Sequence, residues 1–327
     1  MRVLVVRLSS LGDVIHAAPV LHDLHRAHPG AAVDWVVEEA FVPLVRCFVG
    51  VDRIVPFALR RWRRTPLPSR GEALAFLRSL RERRYDRVLD LQGLLKSALV
   101  TRAARLAAGG QRVGLANRTD GSAYEPIARL AYGRAIVMPA RIPVVERSRR
   151  LAAEALGTSV SGVPRIDWRL PPLHDADAPW ADADAVWLVH GSAKPVKRLD
   201  DVFWVALARG LALQGRRVLL PWGSDAERAR SESIAAAAGA GTAVPPRLPL
   251  DRLAGVMAAS AGSIGLDTGL THLSATLARP TVQLFIEDKS WRAAIDWQPR
   301  TAVVQAIDAA PITPEAALRA WARVAAS

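Results

Sequence analysis

The 327-residue chain has a single cysteine, Cys47, which excludes an internal disulfide and a cysteine-rich zinc site and suits a reducing compartment. Long hydrophobic runs are also missing: no stretch of about 18 apolar residues escapes a charge, so no membrane span is expected. Arg2, Arg7 and Asp13 interrupt the first apolar stretch too early for a signal peptide, which makes the cytosol the expected compartment. Neither a G-x-G-x-x-G fingerprint nor a G-x-x-x-x-G-K-[ST] loop occurs, and a dehydrogenase or Walker-type ATPase loses its main support. There is no repeat and no low-complexity tract. With half of its residues hydrophobic, the chain can bury a large core, and disorder is excluded.

Acidic residues are outnumbered, 31 against 44 Lys and Arg, for a net charge of +13. Residues 1–165 carry 27 basic and 14 acidic side chains and residues 166–327 carry 17 of each, so the entire excess lies in the first half. Such a field bears on the ligand that each half meets: an anionic one is expected for the first.

Short Val-, Ile- and Leu-rich runs alternate with longer amphipathic stretches. Arg2–Arg7, Val33–Glu38, Arg53–Phe57, Arg87–Leu91 and Arg112–Leu115 read as buried strands, and Val14–Ala27, Glu72–Arg83, Leu95–Ala107 and Val144–Leu156 as helices. Between Gly157 and Asp184, prolines scattered among Asp and Ser mark a linker. The alternation resumes with strands Ala185–His190, Arg216–Pro221, Ser263–Asp267 and Thr281–Phe285, and with helices from Val202, Ala226, Leu250 and Leu270. Thr313-Pro314 starts a last helix running from Glu315 to about Ala325. The expected fold class is α/β: two Rossmann-like halves in tandem, residues 1–165 and 166–310, followed by the helix in 311–327.

Ligands of open α/β sheets sit at the carboxyl ends of strands. There, Arg7-Leu8-Ser9-Ser10-Leu11-Gly12-Asp13 offers a glycine for close approach and a carboxylate at a helix start, where it is either a cap or a functional acid. Asp90-Leu91-Gln92-Gly93-Leu94-Leu95-Lys96 brings Gln92 and Lys96 to the same edge. Arg60-Arg61-Trp62-Arg63-Arg64, ahead of Pro66 and Pro68, reads as a loop whose guanidiniums suit phosphates. His22, His25 and His28 read as a polar surface stripe rather than a metal site.

Three strand ends of the second half suit one anionic, hydroxylated ligand. Asp267-Thr268-Gly269-Leu270-Thr271-His272 opens a helix whose N–H groups can hold a diphosphate. His190-Gly191-Ser192-Ala193-Lys194-Pro195-Val196-Lys197 supplies hydroxyl and ammonium donors, and Glu227 can accept from a sugar.

Together with Asp34-Trp35-Val36-Val37-Glu38-Glu39, the segments Ser9–Asp13, Arg60–Arg64 and Asp267–His272 resemble the ADP-heptose:lipopolysaccharide heptosyltransferases over nearly the whole chain. The Asp34–Glu39 and Arg60–Arg64 segments resemble the members that add the first heptose. The resemblance implies a GT-B fold, two Rossmann-like domains facing each other across a cleft, with the last helix returning to the first domain. It implies ADP-L-glycero-D-manno-heptose as donor on the second domain and a lipid A precursor bearing Kdo as acceptor on the first. A monomer working peripherally on the anionic cytoplasmic face of the inner membrane is expected, with no cofactor and no resident metal, although a diphosphate can recruit magnesium.

By the same resemblance Asp13 is the general base and Lys197 stabilises the leaving diphosphate, helped by Ser192 and the N–H groups of Thr268 and Gly269. Gly12, Ala193, Glu227, Leu248, Asp267, Leu270 and His272 fall on donor-contact positions, with Glu227 at the ribose and Leu248 beside adenine. Ser9, Ser10, Arg60, Arg61, Trp62, Arg63, Arg64, Gln92 and Lys96 fall on the acceptor side. Departures occur at Ala193, which lacks the usual hydroxyl, at Leu248 for a methionine, and at Tyr124, where an arginine is expected. Ile286-Glu287-Asp288-Lys289-Ser290-Trp291 replaces a Gly-Pro-Thr loop. The other readings are a transferase adding a later heptose and, in another class, a basic nucleic-acid binder, against which stands the absence of any recognised DNA or RNA module.

Overall fold

A computed structural model describes residues 1–64, 70–192, 195–306 and 311–326. The chain divides into two compact units, Met1–Arg169 and Leu170–Ser327.

The first unit runs β1 (Arg2–Val6), α1 (Leu11–Ala17), α2 (Pro19–Ala27), β2 (Ala32–Glu38), α3 (Val42–Arg46), β3 (Arg53–Phe57), α4 (Leu59–Arg64), α5 (Arg70–Arg81), β4 (Arg84–Asp90), α6 (Leu95–Ala103), β5 (Arg105–Leu115), β6 (Arg134–Ile136) and α7 (Val144–Leu156). Its strands form one parallel sheet in the order β3-β2-β1-β4-β5-β6. Val3, Leu4, Val5 and Val6 of β1 are fully buried, as both faces of a helix-covered parallel strand must be.

The second unit runs β7 (Ala185–Val189), α8 (Asp201–Ala212), β8 (Arg217–Leu219), α9 (Asp225–Ala238), β9 (Thr242–Ala243), α10 (Leu250–Ala258), β10 (Gly262–Leu266), α11 (Gly269–Thr276), β11 (Thr281–Phe285), α12 (Ser290–Ala293), β12 (Thr301–Gln305) and α13 (Pro314–Ala326). Its parallel sheet has the order β12-β11-β10-β7-β8-β9, the same topology as the first. In each unit the chain reverses its direction of travel beside the first strand, between β1 and β4 and between β7 and β10. At such a switch point the loops diverge and leave a crevice at the carboxyl edge. The first-unit crevice receives the loops around Asp13 and Gln92, and the second those around Ser192 and Asp267.

Four expectations are corrected. The stretch Arg60–Arg64 lies in α4, because Trp62 packs edge-on against Phe57, with centroids 5.3 Å apart, and 5.7 Å from Phe76. The unit boundary falls at Arg169 rather than Arg165. The Val49 and Arg169 amides donate to the Asp167 and Cys47 carbonyls, at 2.9 and 2.7 Å, and Trp168 stacks edge-on upon Phe48. The final helix belongs to the second unit, where Trp321, 1% exposed, joins Val282 and Leu284 in the core beneath α8 and β11, rather than to the first, as the resemblance implies. Finally, His22 and His25 are half-buried and bonded, to Asp167 at 2.8 Å and to the Gly50 carbonyl at 2.9 Å, rather than a surface stripe.

Candidate functional site

In the first unit Ser10 caps α1 in extended conformation, and Asp13 occupies the third helical position. The Asp13 carboxylate accepts from the Ser10 N–H at 3.1 Å and from its hydroxyl at 2.8 Å, as a capping-box acid does. Its other oxygen lies 2.5 Å from the guanidinium of Arg7, which is buried, while the Asp13 side chain stays 29% exposed. Burial pushes this carboxyl up, but Arg7, the two Ser10 donors and His16 outweigh it and hold it well below the usual carboxylate range. Asp13 is thus a cap and, equally, an ionised and partly accessible carboxylate.

The loop carrying it is braced from three sides. Trp35 Nε1 donates to the Arg7 carbonyl at 3.2 Å, the Glu38 N–H to the Leu8 carbonyl at 3.0 Å, and the Leu8 N–H to Gln92 Oε1 at 2.9 Å. Gln92, 5% exposed, therefore braces the loop through its carboxamide oxygen. Asp90, buried and pushed up by that burial, fixes the neighbouring turn by accepting from the Gln92 and Gly93 amides and from Tyr132. The ring of Tyr124 packs over Gly93, within 3.2 Å of where a Cβ would stand.

Lys96 Nζ donates to Ser9 Oγ at 2.8 Å and lies 3.6 Å from Glu38, a buried carboxylate that also holds Arg60 at 3.1 Å. Arg61 bridges Glu39, at 3.0 Å, and Glu72, at 2.5 Å. The segments Asp34–Glu39 and Arg60–Arg64 are thus ion-pair partners, which the spacing alone does not reveal. Trp62 turns inward and donates from Nε1 to Glu72 at 3.0 Å; Arg63 and Arg64 are exposed.

In the second unit Asp267 ends the turn after β10 and pairs with Lys197; His272 Nε2 stands 3.3 Å from its other oxygen. Burial pushes the Asp267 carboxyl up, and His272 and Lys197 together hold it well below the usual range. Thr268 caps α11 without a side-chain bond, and the first-turn N–H groups of Gly269 and Leu270 have no intrahelical partners. The helix sits tight on its strand because Gly265 has no side chain: a Cβ there would lie 2.4 Å from Thr271 Oγ1 and 2.5 Å from Val189.

Ser192 is buried, and its carbonyl accepts from Arg198 at 2.9 Å. Ala193 lies outside the described residues. Glu227, in the first turn of α9, accepts at 2.8 Å from the Gly223 N–H, and bare Gly191 leaves room for its carboxylate, since a Cβ there would stand 2.9 Å from it. Leu248 is half-buried in the segment between β9 and α10. Glu287 and Lys289, paired at 2.6 Å, line a small hollow with Lys197 and Asp267, so the replacing loop adds charge beside the expected diphosphate position. Among the described residues no cluster of three or more His, Cys, Asp or Glu is arranged to hold a metal.

The structure thus gathers Ser9, Ser10, Gly12, Asp13, Gln92 and Lys96 at one crevice, and Ser192, Lys197, Asp267, Thr268, Gly269, Leu270 and His272 at the other. Sequence reasoning missed Arg7 as partner of Asp13, Glu38 as anchor of Arg60 and Lys96, and Gly191 and Gly223 as the seat of Glu227. Only Arg7, the first charge after β1, carried any signal for this in its position.

Residues 73–312 match the model of glycosyltransferase family 9 (heptosyltransferase). Lipopolysaccharide heptosyltransferase 1 of Pseudomonas aeruginosa is 41% identical over 289 residues, 87% of this chain and 78% of that one. Its namesake in Escherichia coli K12 is 36% identical over 288 residues, 87% of this chain and 88% of that one. The solved structure of E. coli heptosyltransferase WaaC with ADP superposes with a TM-score of 0.84 at 32% identity, covering 99% of this chain and 100% of that one. The same enzyme with ADP-2-deoxy-2-fluoro heptose gives 0.78 at 31% identity, covering 98% of each chain. With two parallel Rossmann-like sheets of GT-B type, the chain belongs to glycosyltransferase family 9, the heptosyltransferases.

Proposed function

We propose that this heptosyltransferase of lipopolysaccharide core assembly moves L-glycero-D-manno-heptose from ADP-heptose to the inner Kdo of Kdo-bearing lipid A, with inversion. The observation that carries the chemistry is the ionised Asp13 carboxylate, tethered by Arg7 and Ser10 at a switch-point crevice. As the Kdo hydroxyl oxygen attacks the heptose anomeric carbon, Asp13 takes its proton, the bond to the diphosphate breaks on the opposite face, and ADP leaves. A carboxylate held this far below its ordinary range is too weak to deprotonate an alcohol in advance. Proton transfer therefore accompanies carbon–oxygen bond formation, when the hydroxyl has become acidic.

On the donor side Lys197 and the amides at the start of α11 meet the charge that accumulates on the leaving diphosphate. Lys197 is then shared between that diphosphate and Asp267, whose other oxygen His272 holds. Glu227 binds the ribose and Leu248 lies along adenine. The scheme uses no cofactor, since ADP-heptose is a substrate. The basic first unit meets the phosphorylated acceptor at Ser9, Ser10, Lys96 and the exposed guanidiniums of α4, on the cytoplasmic face of the inner membrane. This places Arg63 and Arg64, rather than the inward-turned Trp62, toward anionic lipid.

A matrix of sugar-nucleotide donors and lipid acceptors, scored by product mass, tests the reading. ADP release is expected only with ADP-heptose and Kdo-bearing lipid A together. Transfer solely to acceptors that already carry one heptose would reassign the chain to a later step.

A further inference from the structure

The segment that carries Ser192 and Lys197 leaves β7 at His190 and reaches α8 after Leu199, and both of its ends are tied to one side chain that the transfer scheme leaves unused. Arg230, on α9, donates from Nη1 to the His190 carbonyl at 3.3 Å, from Nη2 to the Leu199 carbonyl at 2.6 Å, and from Nε to the Asp201 carboxylate at 2.7 Å. Its neighbour Ser231 is fully buried, with Oγ 2.8 Å from His190 Nε2, and the His190 ring stands edge-on to Trp204. Within the segment, Arg198 donates to the Ser192 carbonyl at 2.9 Å, and Lys197 pairs with Asp267.

A planar guanidinium, with its donors in a fixed fork, can hold two carbonyls and a carboxylate at once, which an ammonium on a flexible stem cannot reproduce. Fixing both ends of a segment lowers the freedom of what lies between, so less ordering remains to be done when a ligand arrives. Glu227 stands three residues before Arg230, a neighbouring position on the same helix, where the Gly223 amide grips its carboxylate. A single helix therefore governs both the glutamate and the lysine loop. All three nitrogens of the Arg230 guanidinium meet protein groups, which makes it a support for other residues rather than a ligand-binding group.

We propose that Arg230 is a positioning residue for the transfer: by clasping both ends of the 190–199 segment, it holds Lys197 where charge develops on the leaving diphosphate. The inference rests on the donor reading of Lys197 above, and its test separates the two. Turnover of ADP-heptose with Kdo-bearing lipid A, affinity for ADP and thermal midpoint are measured for the wild type, Arg230→Gln, Arg230→Lys, Lys197→Ala and the double variant Arg230→Gln/Lys197→Ala. Arg230→Gln is expected to lower kcat about tenfold to a hundredfold, the cost of misplacing a reacting-site group by about 1 Å. Arg230→Lys keeps the charge and loses the fork, and is expected to fall nearly as far. Once Lys197 is alanine, Arg230→Gln is expected to cost less than about twofold more, because the two act as a unit. Tryptic cleavage after Arg198 reads the clasp without turnover, and its initial rate is expected to rise about tenfold in Arg230→Gln, the worth of one charge-assisted hydrogen bond.

An equal fold loss in both backgrounds makes Arg230 merely structural and overturns the proposal. So does a wild-type kcat in Arg230→Gln or in Arg230→Lys, or an unchanged rate of cleavage. A wild-type kcat and ADP affinity in Lys197→Ala would instead remove the donor reading of Lys197, and the proposal with it, even where cleavage shows that Arg230 restrains the segment.

Discussion

At Asp13 two demands meet in one carboxylate: the helix start takes an acceptor for the Ser10 N–H, and the proposed transfer requires a base that stays ionised. Arg7 reconciles them by offsetting the cost of burial with its charge. Asp13→Ala is expected to lower kcat at least about a hundredfold, the usual worth of a general base, while ADP-heptose binding is kept; near-normal turnover removes Asp13 from the role. Because the folded pKa is depressed, the ionised form persists below the unperturbed aspartate value of about 3.9, and the rate is lost only as pH falls through the lower folded value. In Arg7→Gln the lowering charge goes and the burial remains, so the acid limb of kcat/KM is expected to move upward into mildly acidic pH. A limb that stays in place contradicts the pairing. The carboxylate and the helix that follows it are legible in the sequence as a strand-end Ser-x-x-Asp; its guanidinium partner is not, because an ion pair depends on where a side chain turns after the strand has ended.

Elements, rather than single residues, decide what the loops of the second unit present. Glu227 reaches the crevice because Ser224 starts α9 there, the Gly223 amide grips its carboxylate, and Gly191 of a different loop leaves the space empty. Gly191→Val is expected to displace that carboxylate and raise the KM for ADP-heptose about tenfold, roughly the loss of one ligand hydrogen bond, with kcat little changed; steady-state kinetics against donor concentration check it. Strand and helix periodicity located β3, β11 and α7 to the residue and the start of α10 as well, since each buries a repeating apolar face. It failed at α4, whose six residues contain four arginines and no apolar repeat: that helix exists because the Trp62 ring finds Phe57 and Phe76. It also read α1 and α2 as one helix, although the chain starts afresh at Pro19.

For the molecule as a whole, composition divides the chain by charge. The net +13 belongs entirely to residues 1–165, and association with anionic vesicles is expected to weaken steeply as salt screens that field; flotation that ignores ionic strength would argue against a charged membrane-facing surface. The last helix shows the opposite case. Its amphipathic pattern predicts burial without saying against what, and in the structure Trp321 completes the second core. Trp321→Ala is expected to cost about 3–5 kcal/mol, to lower the melting of the second unit in calorimetry and weaken ADP-heptose binding, and to leave the first unit's transition in place. An equal shift of the first unit's transition would contradict that placement. What the sequence by itself determined is the doubled strand–helix alternation, the polar loops at the strand ends and the asymmetry of charge, because these follow from local periodicity and from counting. Tertiary structure alone decided which loops share a crevice, which cations are spent on neighbouring carboxylates, where the last helix packs and that Arg230 clasps both ends of the segment bearing Lys197, because each depends on contacts between segments far apart in the chain.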